Sequence, residues 1–194
     1  MTGAERASRP GGRSARVRAD VLAAVEAELA EHGYDGLTID AVAARSGVHR
    51  TTVYRRWKTV AGLLVDLLEA GVDDMWSPAD TGSLEGDLVA VNREVFAALT
   101  ARPSVTQAVI AASFRTPEAA EALTRFWADR YTRTEVVVRR AITRGEVPAS
   151  TDPHQVVMTA TAPLYHQLVL LRQPMHPSTA DHHAKSAATL ARLG

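Results

Sequence analysis

Apolar positions recur at helical spacing along most of the chain, and nowhere do they alternate over a useful length of strand. Val17, Val21, Leu22, Val25 and Leu29 form one stripe, so a first helix is predicted from Ser14, which can cap it, to about His32. Gly33 ends it, and GYDG reads as a tight turn. Thr38 then caps a short second helix, IDAVAARS, with Ile39, Val42 and Ala43 inward. Gly47 stops that helix after two turns. HRTTVYRRW reads as a third short helix. Thr59 caps a fourth, along which Val60, Leu63, Leu64, Leu67, Leu68, Val72, Met75 and Trp76 continue a single apolar stripe.

SPADTGS, residues 77–83, reads as a linker. Ser83 opens the next helix, and Ser104 with Gln107 after Pro103 makes a capping box. Thr116-Pro117-Glu118 is a strong start signal for a helix that can reach Arg144, with Gly145 ending it. Asp152-Pro153 repeats the signal for a helix to about Arg172, in which Pro163 predicts a kink. Ser178 with Asp181 opens a last helix to about Leu193. The fold class predicted is all-α, with about nine helices.

The stretch GVHRTTVYRRW, residues 47–57, keeps one narrow apolar side. Val53 and Trp57 lie at i and i+4 and share a face, and Val48 anchors the entry. Arg50 and Tyr54 fall on one outward line, Thr51 and Arg55 on the adjacent one. Two short helices joined by a glycine turn make a helix-turn-helix, here residues 37–56. A helix seated in the DNA major groove needs this narrow apolar side and a broad side rich in donors. Arginine can pair bidentately with guanine, threonine suits a base or a thymine methyl, and tyrosine and lysine suit phosphate oxygens.

Charge sharpens this picture. Net charge is zero over 194 residues, but residues 1–58 carry ten Lys/Arg against seven Asp/Glu, and the remainder twelve against fifteen. The first thirteen residues read as a flexible basic tail. Two readings stand for it: an arm in the adjacent minor groove, or a solubilising tail. Hydrophobic content of 46% supports a packed core, and abundant alanine favours helix. The chain contains no cysteine, which excludes disulfides and thiolate metal sites. It has no apolar run near the roughly 20 residues of a membrane span and no apolar stretch typical of a signal peptide, so a cytoplasmic protein without membrane contact is expected.

LTIDAVAARSGVHRTTVYRRWKTVAGLL resembles the DNA-binding region of the TetR family of transcriptional regulators. The resemblance covers Ser14 to about Trp76. Its most specific parts are the threonine before the second helix, AVAARSGV, and TVYRRW followed by a helix with a Leu-Leu pair. It implies a DNA-binding domain over residues 14–76 and a regulatory and dimerisation domain over residues 77–194. It implies a homodimer on a palindromic double-stranded operator, released when a small effector enters the second domain. Carried over position by position, Thr38 caps the second helix and touches phosphate. His49, Arg50, Thr51, Thr52, Tyr54 and Arg55 face the groove and its walls. The chain departs from the family pattern twice. His49 stands where Ser or Thr is usual, and Val60 stands where a lysine is usual, with Lys58 two residues earlier as the candidate phosphate contact.

Beyond residue 83 the resemblance is one of plan. The last two helices, about Asp152–Arg172 and Ser178–Leu193, are the expected homodimer interface, although a single-chain core could use the same faces. Phe96, Phe114, Trp127, Tyr131, Met158 and Tyr165 are candidates to line an effector pocket, each also readable as plain core. His154 and His166 are too far apart to chelate together. His176, His182 and His183 match no standard zinc site and read as surface residues. No metal, cofactor or catalytic residue is expected. Two rivals stand beside this reading. An enzyme finds no phosphate loop, GxSxG or HExxH to support it, and Asp73-Asp74 and Glu118/Glu121 suit solvated or helix-start positions. A DNA-binding protein without a ligand switch would lack a sizeable cavity.

Overall fold

The computed structural model describes residues 10–72, 74–102 and 104–193, and among these the chain is helical with no strand. The nine residues that begin the predicted basic tail lie outside the described residues, as do Asp73 and Pro103. Helix α1 spans Pro10–Gly36, starting one turn before the predicted Ser14. Its regular path breaks at Gly33, whose φ of 68° leaves the helical region where the sequence placed the stop.

Helices α2 (Ile39–Ser46) and α3 (Arg50–Trp57) follow. Thr38 Oγ1 accepts from the Ala41 N–H at 3.1 Å and starts α2. Gly47, at φ 67°, ends it in the left-handed region, where a Cβ is strained, and so turns the chain sharply into α3. Helix α4 runs Val60–Val72, capped by Thr59 Oγ1 accepting from Gly62 N–H at 3.0 Å. The predicted stripe therefore ends early: Met75 is exposed, and Trp76 lies beyond the helix with its indole on Glu94 at 2.9 Å.

Helix α5 (Leu84–Thr100) starts on Ser83 Oγ, which accepts from Gly86 N–H at 3.1 Å. Helix α6 covers Val105–Ser113. Only half of its predicted capping box forms. Ser104 Oγ accepts from Gln107 N–H at 3.2 Å, but the Gln107 side chain donates to the Leu99 carbonyl at 2.6 Å instead of turning back.

The long helix expected from Thr116 to Arg144 divides at Glu135 into α7 (Pro117–Thr134) and α8 (Val136–Thr143). Thr132 and Thr134 hydroxyls bond back to the Ala128 and Arg130 carbonyls at 2.8 and 2.7 Å, a pattern that bends helices. Helix α9 covers Pro153–Tyr165 and opens into a π-helical turn over His166–Leu170. Pro163 has no N–H to donate in this last stretch, and the loosened turn stands where a kink was expected. Helix α10, Pro177–Leu193, is capped by His176 Nδ1, 3.2 Å from the Ser178 N–H.

Two main cores result. One joins Val21, Val25, Leu29, Val42, Val53, Trp57, Leu63 and Leu64 of α1–α4 to Val109, Ala112 and Leu123 of α6 and α7. The other joins α5, α8, α9 and α10 through Leu88, Val137, Val157 and an alanine face on α10. Asn92 on α5, fully buried, donates to the Ala160 and Ala180 carbonyls at 2.9 Å each and so fixes α9 and α10 against one helix.

Candidate nucleic-acid interface and effector cavity

Val53 and Trp57 are buried beneath α3, while Arg50, Thr51, Tyr54 and Arg55 stand on its exposed sides, as helical spacing requires. Tyr54 is 57% exposed, unusual for so large a ring unless the surface meets something. Thr38, His49 and Lys58 are exposed at the rims and Thr52 is half-buried. Seven of the eight predicted contact residues are therefore exposed, and Thr52 is the one that is not. Arg56 turns away: its guanidinium donates to Ser14 Oγ at 3.1 Å and lies 4.9 Å over the Trp57 ring.

Several of these groups already have partners. His49 caps α3, its Nδ1 3.4 Å from the Thr51 N–H and 2.8 Å from the Thr51 hydroxyl. Imidazole replaces the usual hydroxyl cap, so the departure in sequence carries no loss of the bond. Arg50 Nε lies 2.6 Å from Asp40 Oδ1. Tyr54, Arg55 and Lys58 make no side-chain hydrogen bond or ion pair among the described residues.

The end of α3 turns tightly into α4. Lys58 sits at φ 62°, ψ −44°, and the Thr59 N–H bonds to the Trp57 carbonyl at 2.6 Å across it. This is a γ-turn of the rare, strained hand. Gly62 permits it, because a Cβ there would fall 2.2 Å from the Trp57 carbonyl oxygen. The Trp57 indole N–H donates to Asp66 on α4 at 2.7 Å, and Arg18 on α1 donates to the same carboxylate at 2.8 Å. Burial pushes the Asp66 carboxyl up, but the hydrogen bonds from Arg18 and Trp57 outweigh it and hold it below its ordinary range. Asp66 therefore ties α1, α3 and α4 at one point.

The far end of α4 is held by α7. Arg130 donates to the Gly71 carbonyl at 3.0 Å and pairs closely with Asp74, while Arg133 reaches the Val72 carbonyl and Asp74. Asp74 is thus a clamp and not the solvated acid expected. Burial raises its pKa, and the Arg130, Trp76 N–H and Arg133 contacts bring it below the ordinary carboxylate value. The Phe126 ring fills the space a side chain on Gly71 would take, its edge 2.9 Å from that Cβ position.

Phe126 and Arg130 also wall a cavity of 240 Å³ among α5, α6, α7 and α9. Trp127, Tyr131 and Tyr165 meet there, with the Trp127 and Tyr165 rings edge to face at 5.4 Å. Burial, with Tyr131 adding to it, pushes the Tyr165 phenol well up, so it is a neutral donor. Trp76, Phe126, Arg130 and Glu94 also line it, with valines and threonines between them, and Arg130 lies 4.7 and 5.0 Å from the Trp76 and Phe126 ring centroids. The six predicted pocket residues do not form one group. Phe96 and Phe114 line a separate and larger pocket of about 1170 Å³, with Phe114 79% exposed, and Met158 lines neither. Phe126 beside Trp127 was visible in the sequence; the guanidinium stacking of Arg130 was not.

His154 reaches Glu135 at 3.3 Å and packs on Tyr131, and His182 and His183 are neighbours on α10. Among the described residues, no group of three His, Cys, Asp or Glu is arranged to hold a metal ion.

The family described as "Bacterial regulatory proteins, tetR family" matches residues 21–67, and "Tetracyclin repressor-like, C-terminal domain" matches residues 78–187. The chain is 37% identical over 180 residues to the HTH-type transcriptional regulator AqdR of Rhodococcus erythropolis, covering 90% of this chain and 84% of that one. It is 32% identical over 159 residues to the DNA-binding transcriptional repressor TetR of Mycobacteroides abscessus, covering 78% and 82%. A TetR family transcription regulator of known crystal structure superposes with a TM-score of 0.71 at 28% identity, covering 90% of this chain and 97% of that one.

Proposed function

The chain belongs to the TetR family and is a helix-turn-helix DNA-binding transcriptional regulator, and on that premise we propose that it is a repressor whose operator is released by a small effector. The domains assigned are residues 14–76 for DNA and 77–194 for effector and partner. Thr38, His49, Arg50, Thr51, Thr52, Tyr54, Arg55 and Lys58 are assigned to the DNA interface. Arg55 and Arg50 suit guanine edges, Tyr54, Lys58 and Thr38 suit phosphates, and Thr51 and Thr52 suit bases or thymine methyls.

One observation carries the switch: the middle and the far end of α4 are both fastened to working parts. Asp66 grips the last residue of α3, and Arg130, a wall of the cavity, grips the carbonyl of Gly71. An occupant that displaces Arg130 or Phe126 moves α4, and α4 carries α3 with it. The operator-binding arrangement is then depleted by differential affinity for the two states. The cavity suits a compact molecule bearing a ring, because five aromatic side chains line it together with aliphatic ones, and Glu94 and Arg130 offer it charge.

The working unit is a homodimer through α9 and α10. Leu170, Leu171, Leu190 and Leu193 are large, exposed and apolar on or beside those helices, Leu193 by 80%. A second copy covers them and supplies the second α3 for a palindrome. No single helix among the described residues is long and apolar enough to cross a membrane, which supports action in the cytoplasm where the operator lies.

The test is operator release under a panel of small aromatic compounds, read by fluorescence anisotropy of labelled operator, with wild type and Trp127→Ala compared. Compounds that release the wild type but not the variant, at equal affinity for DNA alone, support the cavity as effector site. Release unchanged by the substitution removes the cavity from the account.

A further inference from the structure

Residues 38–58 contain one acid, Asp40, in a stretch otherwise rich in cations and hydroxyls. An acid on a surface meant for phosphates needs a reason. The first turn of a helix favours a carboxylate, and that alone would explain its presence at the start of α2. It does not explain where the carboxylate points. Oδ1 lies 2.6 Å from Nε of Arg50, the first residue of α3, although Arg50 and Asp40 are 68% and 62% exposed and free to turn to water.

The choice of nitrogen matters. A guanidinium offers two flat edges, one of Nε with one Nη and one of the two Nη atoms. With the carboxylate beside Nε, the Nη pair is the edge left for guanine O6 and N7. An arginine drawn towards a neighbouring carboxylate gives up less side-chain freedom on binding and tolerates a smaller range of base positions. Its charge is also partly answered before it meets DNA, so it gains less from a bare phosphate. Asp40 itself repels phosphate oxygens on any sequence.

We infer that Asp40 is a specificity-determining residue of this regulator: it positions Arg50 for one guanine and lowers affinity for DNA that lacks it. The inference rests on the assignment of α3 to the major groove. Asp40 is a positioning residue, acting through Arg50 and not as a base contact of its own.

The experiment uses full-length wild type, Asp40→Asn, Arg50→Ala and the double variant. A bound sequence is first selected from a random duplex pool with wild type. Affinities are then measured for that operator, for each single base-pair change in one half-site, and for unrelated duplex, with thermal melting alongside. Arg50→Ala is expected to lose preference at one guanine position. Asp40→Asn is expected to lose at least about fivefold preference at that same position and none elsewhere, and to bind unrelated duplex more tightly. The double variant should then match Arg50→Ala at that position, because Asp40 has nothing left to position. Three outcomes overturn the inference: an Asp40→Asn preference profile equal to wild type, a uniform loss across all positions accompanied by lower melting, or additive effects in the double variant. If wild type selects no sequence at all, the groove assignment fails and this inference with it.

Discussion

The indole N–H of Trp57, the last residue of α3, donates at 2.7 Å to Asp66 in the middle of α4, and the opposite oxygen of that carboxylate takes Arg18 of α1 at 2.8 Å. Three helices thus share one anion. The bond is short, partly buried and charge-assisted, and so links the position of α3 to that of α4.

Trp57→Phe keeps most of the buried ring and deletes the donor. It should lower stability by about 1–3 kcal/mol, since a hydrogen bond to an ionised group is lost, and weaken operator binding beyond what the stability change explains. Chemical denaturation and operator titration of the same variant separate the two effects. Equal affinity with reduced stability would mean that the bond holds the fold without setting the angle of α3.

Asp66 also predicts an acid response. Its folded pKa lies below its ordinary value of 3.8. The stability it contributes is therefore complete above that value and is lost as pH falls through the lower folded value. Asp66→Asn should melt well below wild type at pH 7, and the gap should narrow towards pH 3. A gap that stays constant across this range would place the stabilisation outside the ionised carboxylate.

Lys58 separates strain from contact. Its positive φ costs a non-glycine residue about 1–3 kcal/mol, so Lys58→Gly should relieve part of that, less the entropy glycine adds to the unfolded chain. The same change removes a proposed phosphate contact and should reduce the slope of log affinity against log salt by about one. Thermal melting and a salt series on one variant check both halves. A lowered melting temperature would mean that the Lys58 side chain packs where the structure leaves it exposed.

Gly62 should not tolerate a methyl group. With the Trp57 carbonyl oxygen 2.2 Å from the would-be Cβ, Gly62→Ala must push the start of α4 from the end of α3. Loss of about 1–3 kcal/mol and a marked loss of operator affinity are expected, measured by denaturation and by anisotropy. Near-wild-type behaviour in both would show that the γ-turn relaxes at little cost.

The features legible in the sequence were those set by local chemistry. Thr38, Ser83, Thr116 and Asp152 start helices because a side-chain oxygen reaches an N–H two or three residues on, and spacing alone reveals that. The outward set on α3 was legible because helical period and burial of Val53 and Trp57 fix the other sides. The division at Glu135 was hidden, since no glycine or proline marks it. The stripe continued on paper through Met75 because apolar spacing does not register where Arg130 and Arg133 take the carbonyls of Gly71 and Val72. The cavity was legible only in part. Trp127, Tyr131 and Tyr165 come together from α7 and α9, but so do Trp76 and Glu94 from elsewhere in the chain, and tertiary packing alone decides that grouping.

The central claim is that the exposed face of α3 reads DNA in a dimer. Selection of bound duplexes from a random pool, with purified full-length protein at roughly physiological salt where non-specific binding is weak, tests it most directly. The account predicts a palindrome with half-sites about ten base pairs apart, or a multiple of that spacing, and loss of enrichment with Arg55→Ala at unchanged melting temperature. Absence of any enriched sequence, or enrichment that survives loss of Tyr54 and Arg55 together, would contradict it.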